Sequence, residues 1–185
     1  MLVGVSSVGK TSVAEQLQLA LREPYLHVGL DHFLSMFPYE WRDHPRRPGP
    51  GFWVDQTPGA GGSPSARIYY GEAGERLLTG MRAAVNALLA TGNNVILDEM
   101  PVDDSIMPAW RRDLRSGSTC WVRLTASLAV LEARERARTK GQQLGNSRGH
   151  FDVQAGDEWD LVIDTDDLTP PETAAQIVKA LALVD

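Results

Sequence analysis

The stretch GVSSVGKT at residues 4–11 constrains the fold of this 185-residue chain more than any other feature. It satisfies the pattern G-x-x-x-x-G-K-[ST] at every fixed position, after an apolar run and before an amphipathic segment. Glycines in such a loop allow successive backbone N–H groups to curl around an anion, and the following helix directs its positive end at the same anion. The stretch therefore predicts a phosphate-binding loop between a buried strand and a helix.

The side chains of this loop predict that it binds a nucleotide together with a metal ion. Lys10 would reach the outer phosphates of ATP, and the hydroxyl of Thr11 would ligate Mg²⁺. The residues expected to contact the nucleotide are Gly4, Ser6, Ser7, Val8, Gly9, Lys10, Thr11 and Ser12.

Five short apolar runs rich in β-branched residues alternate with segments of helical periodicity. The runs are MLVG, YLHVGL, NVILDE, CWVRLT and LVIDT. Strands that alternate with helices imply a parallel sheet covered on both faces, and continuous apolar runs are typical of buried strands. Since the length suits one domain, residues 1–185 are predicted to form a single three-layer α/β domain with a five-stranded parallel sheet in its middle.

The first of these runs is short for a central strand. Only Met1–Val3 precede the loop, whereas strands usually contain about 5–6 residues. We therefore expect the natural chain to begin upstream of Met1, with further apolar residues that lengthen the strand.

Two segments interrupt the alternation of strands and helices. Residues 43–66 are rich in proline and glycine, and their apolar residues show no helical period, so we expect an irregular loop on the substrate side. Residues 134–150 run from an arginine-bearing helix into a polar stretch punctuated by glycine. This second segment is predicted to be a mobile lid.

Acidic residues follow two of the predicted strands, and ligands of open α/β sheets lie beyond such carboxyl ends. Asp98 ends the run NVILD and is predicted to ligate Mg²⁺. Asp31 ends the run YLHVGLD and has two interpretations that spacing does not separate. One is the N-cap of the following helix, and the other is a base that accepts the proton of an attacking hydroxyl; the two roles do not exclude each other.

The helix after the fourth run carries several arginines. Arg134 and Arg138 are four residues apart and are predicted to share one helix face, whereas Arg136 is predicted to pair with Glu132. The ordinary interpretation of such a face is solvated ion pairs. Because the segment follows a strand whose end should face the nucleotide, we favour a role for Arg134 and Arg138 in neutralising charge during phosphoryl transfer.

Apolar and aromatic side chains are concentrated after the second run. A small amphiphilic acceptor would need such a wall with a few polar groups, whereas core packing is expected to account for about half of these side chains. The residues predicted to line the acceptor pocket are Phe33, Met36, Trp41, Trp53 and Tyr69.

Composition limits the partners and the compartment. The net charge of −6 argues against nonspecific nucleic-acid binding, which normally requires a basic surface. No apolar stretch reaches the length of a membrane-spanning helix. Cys120 is the only cysteine, so no intramolecular disulfide can form, and we expect a cytoplasmic protein.

Taken in order, these motifs resemble those of the chloramphenicol phosphotransferases, small P-loop kinases that use ATP to phosphorylate a hydroxyl of an antibiotic. The resemblance rests on GVSSVGKT, EPYLHVGLDHFLSMFP, NVILDEM, VLEARERAR and FDVQAGDEWDLVIDT, which extend over nearly the whole chain. It implies the P-loop kinase fold, ATP and Mg²⁺ as cofactors, and a small molecule with a hydroxyl group as the acceptor.

Carried over to single residues, the resemblance implies that Asp31 is the general base. It also implies that Arg134 and Arg138 stabilise charge from the lid. Gly141 stands where the family tends to have a further arginine, and residues 43–66 align poorly, so the acceptor is less well predicted than the chemistry.

Other functions are less consistent with the sequence. A metabolic kinase for shikimate, gluconate or a nucleoside would need more basic groups than the aromatic middle segment offers. A regulatory ATPase or GTPase without an acceptor is a further alternative, although no Asn-Lys-x-Asp motif for guanine is present. The presence of Lys10, Thr11, Asp31 and Asp98 argues against a catalytically inactive binding protein.

Overall fold

A parallel β-sheet forms the centre of the protein. The computed structural model describes residues 1–59, 62–115, 118–139, 143–153, 156 and 158–181. Its strands are β1 (Leu2–Val3), β2 (Tyr25–Gly29), β3 (Phe52–Pro58), β4 (Pro64–Tyr70), β5 (Asn94–Glu99), β6 (Val122–Thr125) and β7 (Leu161–Asp164). Five of them form the parallel sheet in the order β2-β5-β1-β6-β7, so each of the five apolar runs contains a strand of this sheet, as predicted.

Helices cover both faces of this sheet. They are α1 (Lys10–Ala20), α2 (Leu30–Leu34), α3 (Glu72–Ala90), α4 (Ile106–Asp113), α5 (Leu128–Ala137), α6 (Asn146–Gly149) and α7 (Pro170–Leu181), with a 3₁₀ helix at Tyr39–Trp41. One buried core lies between the sheet and α1, α5 and α7, and the other lies between the sheet and α3 and α4. Ile96 and Leu97 are neighbours on β5 and belong to different cores, because successive side chains of a strand point to opposite faces. The three-layer prediction is confirmed.

The prediction of an irregular loop at residues 43–66 is wrong for much of this segment, which contains β3 and the start of β4. Strands β3 and β4 pair antiparallel as a separate hairpin, with Trp53 opposite Tyr69 and Phe52 opposite Tyr70. Ala60 and Gly61, between the two strands, lie outside the described residues. The outer end of β3 is exposed and polar, so it lacks the apolar alternation that identifies a strand from sequence.

No helix in the described part of the chain is long and apolar enough to cross a membrane.

Candidate active site

The phosphate loop connects β1 to α1 and has a backbone shape that its sequence requires. Ser7 and Gly9 both have left-handed backbone angles, with φ values of 65° and 102°. Gly9 is the N-cap of α1. A Cβ atom on Gly4 would lie 2.6 Å from the carbonyl oxygen of Leu124 and 2.8 Å from Cγ1 of Val8, so the loop approaches β6 too closely for any other residue.

This loop fits the phosphates of a nucleotide. The hydroxyl of Ser7 is buried, and within the described residues it has no hydrogen-bond partner. The first turn of α1 contains no acidic residue, so its free N–H groups face no competing carboxylate on their own helix. A buried donor without a partner beside a helix N-terminus is the environment that an anion needs.

Lys10 and Thr11 converge on Asp98 at the carboxyl end of β5. Oγ1 of Thr11 donates a hydrogen bond of 2.7 Å to Oδ2 of Asp98, and Nζ of Lys10 lies 3.9 Å from Oδ1. Nζ also donates to the carbonyl oxygen of Val5 at 3.1 Å. Burial lowers the pKa of Lys10, although Asp98 and Glu99 act in the opposite direction.

Asp98 has a further neighbour that sequence reasoning missed. Burial acts to raise the pKa of Asp98, but the neighbouring His27 side chain and the charge of Lys10 outweigh it, so this pKa is lower than usual. Nε2 of His27 lies 3.5 Å from Oδ2 of Asp98. The signal in the sequence was a histidine inside the apolar run YLHVGL, but only the pairing of β2 with β5 brings it to Asp98.

These residues also fit Mg²⁺. The described residues contain no cluster of three or more His, Cys, Asp or Glu side chains that could hold a metal. Mg²⁺ does not require such a cluster, because it usually keeps several waters and takes one or two protein ligands plus substrate phosphates. Since Thr11 donates its proton to Asp98, the lone pairs of the Thr11 oxygen remain for the ion.

Asp31 lies in the first turn of α2, and the N-cap interpretation of this residue is wrong. The N-cap of α2 is Gly29, whose backbone N–H donates to Nδ1 of His32 at 3.0 Å. The Asp31 side chain is exposed, and it has no hydrogen-bond or ion-pair partner within the described ranges of the chain. Its charge is near enough to act on Lys10, whose pKa it raises.

The two predicted arginines do not share a helix face. Helix α5 ends at Ala137, and Arg138 is its C-cap with extended backbone angles, so only Arg134 is helical. The guanidinium of Arg134 donates to Oγ1 of Thr165 at 3.0 Å and to the Thr165 carbonyl oxygen. The charge of Arg138 acts on Lys10 and lowers its pKa.

The rest of the predicted lid makes contacts that sequence spacing did not reveal. Glu132 forms an ion pair with Arg148, a partner that the spacing of four residues did not predict. Helix α6 contacts β4 and α5. Residues 140–142, which include Gly141, lie outside the described residues, and the mobility of the lid stays a prediction.

The residues predicted for the acceptor pocket fall into separate environments. Trp53 is buried, and its ring stacks on the half-exposed ring of Tyr69 with centroids 5.7 Å apart. The ring of Trp41 packs against His44, and Phe33 packs against the core that contains α3. Met36 is 70% exposed.

Comparison with known families identifies the chain. A family model described as chloramphenicol phosphotransferase-like protein matches residues 1–182. The chain belongs to this family. Comparison with curated proteins gave no match.

Solved structures of kinases share this fold. The sugar kinase from Janibacter sp. HTCC2649 has a TM-score of 0.67 and 15% identity, over 98% of this chain and 92% of that one. The gluconokinase from Sinorhizobium meliloti 1021 has a TM-score of 0.63 and 19% identity, over 99% of this chain and 91% of that one. The APS kinase from Mycobacterium tuberculosis, solved with AMPPNP and APS, has a TM-score of 0.61 and 16% identity, over 98% and 95%. Identities this low show only that the fold is shared. The family and the shared fold together support a small-molecule kinase.

Proposed function

We propose that this protein transfers the γ-phosphoryl group of ATP to a hydroxyl of a small molecule, and that chloramphenicol or a related antibiotic is the acceptor. One observation carries the proposal. The cluster of Lys10, Thr11 and Asp98 lies at the carboxyl end of the sheet, and the unpaired carboxylate of Asp31 follows the strand β2 next to β5. A phosphate site beside an available base is what phosphoryl transfer to an alcohol needs.

In this proposal each side chain has one task. The acceptor oxygen attacks the γ-phosphorus, Asp31 takes the hydroxyl proton, and the bond from that phosphorus to the bridging oxygen of ADP breaks. Lys10, Arg134 and Arg138 balance the negative charge that spreads over the transferred group. Thr11 and Asp98 would hold Mg²⁺, which when bound supplies further positive charge at the phosphates.

Two arginines on the proposed acceptor side already have carboxylate partners, which makes them less available to an anionic acceptor. Arg47 lies 3.3 Å from Asp43 and 3.4 Å from Asp55, and Arg67 lies 3.8 Å from Asp152. These cations therefore already have carboxylate partners within the chain. An anionic acceptor such as gluconate or shikimate would have to compete with those carboxylates.

The aromatic side chains nearby suit a different kind of acceptor. The Trp53–Tyr69 stack presents the ring of Tyr69 to solvent, and Met36 is exposed. An acceptor with an aromatic or other apolar group can bury that surface while it places a hydroxyl near Asp31. Phe33 and Trp41, which pack against neighbouring residues, would shape the pocket from behind.

The substitution Asp31→Asn tests the proposed base. It should abolish phosphate transfer to the acceptor and leave the affinity for AMP-PNP nearly unchanged, because the amide keeps the shape but cannot take a proton. Glu23→Gln is the matched control, since it makes the same chemical change at an exposed residue just before β2, at the opposite edge of the sheet.

The assay is ATP consumption with a panel of chloramphenicol, shikimate, gluconate and nucleosides. Stimulation by chloramphenicol in the parent and the control, but not in Asp31→Asn, is the expected result. A normal rate in Asp31→Asn would refute the base assignment. Consumption that no acceptor stimulates would favour a regulatory ATPase.

A further inference from the structure

A buried glutamate joins the arginine helix to the segment that follows it. Glu135 lies on α5 and is 2% exposed. Its carboxylate accepts hydrogen bonds from the backbone N–H of Gly145 at 2.7 Å and of Ser147 at 3.0 Å, and from the Ser147 hydroxyl at 3.1 Å. Hydrogen bonds to a buried carboxylate are among the stronger ones in proteins, so they fix residues 145–147 against α5.

The same segment reaches the phosphate loop. Ser147 is fully buried, and its Oγ lies 3.1 Å from the carbonyl oxygen of Ser6. The single hydroxyl proton is therefore shared between Ser6 and Glu135. Ser6 belongs to the loop that is proposed to hold the nucleotide, so any shift of this loop changes the environment of Ser147.

The other side of the segment is attached to the hairpin. The backbone N–H of Ala66 donates to the carbonyl oxygen of Gly145 at 2.9 Å, and that of Ile68 donates to Nε2 of His150 at 3.1 Å. A Cβ atom on Gly149 would lie only 2.1 Å from the Ala66 carbonyl oxygen. The two backbones are thus in direct contact, and the contact ends one residue before Tyr69 of the proposed acceptor site.

We propose that Glu135 and Ser147 are positioning residues that link the phosphate loop to strand β4, so that nucleotide binding at the loop orders the acceptor side of the site. The link runs from Ser6 through Ser147 to residues 145–150 and then to the edge of β4. It rests on the proposed binding of nucleotide by the loop. Because coupling between two sites is reciprocal, an acceptor bound at the hairpin should strengthen nucleotide binding by the same factor.

Hydrogen exchange with AMP-PNP and Mg²⁺ tests this link without knowledge of the acceptor. In the parent protein, AMP-PNP should slow exchange of the Ala66 and Ile68 amides by about fivefold or more, the lower end of typical coupling. In Ser147→Ala and in Glu135→Gln, AMP-PNP should still bind, but the slowing at these two amides should fall below about twofold. Thr91→Val is the matched control, since it removes hydroxyl bonds to the carbonyls of Ala87 and Leu88 at the far end of α3.

The two variants distinguish a positioning role of Glu135 and Ser147 from a purely structural one. If Glu135→Gln fails to fold, Ser147→Ala still decides, because it keeps the carboxylate and its bonds to the Gly145 and Ser147 amides. A purely structural role would lower the melting temperature and leave the effect of AMP-PNP on the two amides intact, and this result would overturn the proposal. AMP-PNP binding to the parent without slower exchange in β4 would overturn it as well. Failure of AMP-PNP to bind the parent would overturn the proposed function together with this inference.

Discussion

The phosphate loop and the β3–β4 hairpin are the two proposed halves of the site, and they are built in different ways. The loop takes its shape from residues 4–11, where backbone angles at Ser7 and Gly9 and the lack of a side chain at Gly4 form the cradle. The hairpin takes its place from residues distant in sequence, since the segment around Gly145 lies along its edge. A phosphate can be bound by local backbone alone, whereas an acceptor is recognised by side chains that tertiary contacts bring together.

The largest expected effect is on the phosphate half. Lys10→Met should reduce phosphoryl transfer by about 10²–10³-fold, because it removes the charge that is proposed to act on the transferred group. The measurement is the rate of transfer to the most active acceptor of the panel. Lys179→Met, at an exposed position on α7, is the control and should keep the parent rate. A loss of less than tenfold in Lys10→Met would contradict the assigned role.

A smaller effect, confined to the acceptor half, is expected from Tyr69→Ala. Loss of the exposed ring of the Trp53 stack should raise the KM for the acceptor by about twofold to twelvefold, from about 0.5–1.5 kcal/mol of aromatic contact. The affinity for AMP-PNP, measured by calorimetry, should stay constant. Tyr39→Ala removes an aromatic ring that is 87% exposed, and it serves as the control. A fall in kcat at unchanged KM would argue against an acceptor contact.

The smallest expected effect is on the free energy of unfolding, through the hydrogen bond from the Ile68 amide to His150. Burial lowers the pKa of His150, the charge of Arg67 lowers it further, and Asp152 acts in the opposite direction. The unfolded chain therefore binds a proton at a higher pH than the folded protein does, so the free energy of unfolding should fall as the pH drops below about 6.5. His150→Gln should be less stable by about 1 kcal/mol at pH 8, through the weakened bond to Ile68.

Urea unfolding between pH 5 and 8 checks this prediction. The difference in stability between the parent and His150→Gln should shrink as the pH falls, because only the parent loses the contribution of neutral His150. Two curves that stay parallel over this range would show that the pKa of His150 is the same in the folded and unfolded states.

Much of the site was predictable because its signals are local. GVSSVGKT required only neighbouring residues to predict a phosphate loop, and NVILD placed Asp98 at the carboxyl end of a buried strand. Asp31 was placed at a strand end in the same way; the structure shows that Gly29 and not Asp31 is the N-cap, and the role of Asp31 as the base stays a proposal. Sequence spacing also predicted Arg134 and Arg138 on one helix face. This prediction is wrong because α5 ends at Ala137, one residue before Arg138.

The amino-acid sequence by itself determined the phosphate loop, the five strands of the sheet and the family of this protein. Those features depend on backbone geometry and on apolar periodicity, which short segments of sequence express directly. Only the tertiary structure decided that His27 reaches Asp98, that Ser147 reaches Ser6 and that β4 lies against residues 145–150. These contacts join residues far apart in the chain, and each depends on the packing of several elements at once, which no local pattern encodes.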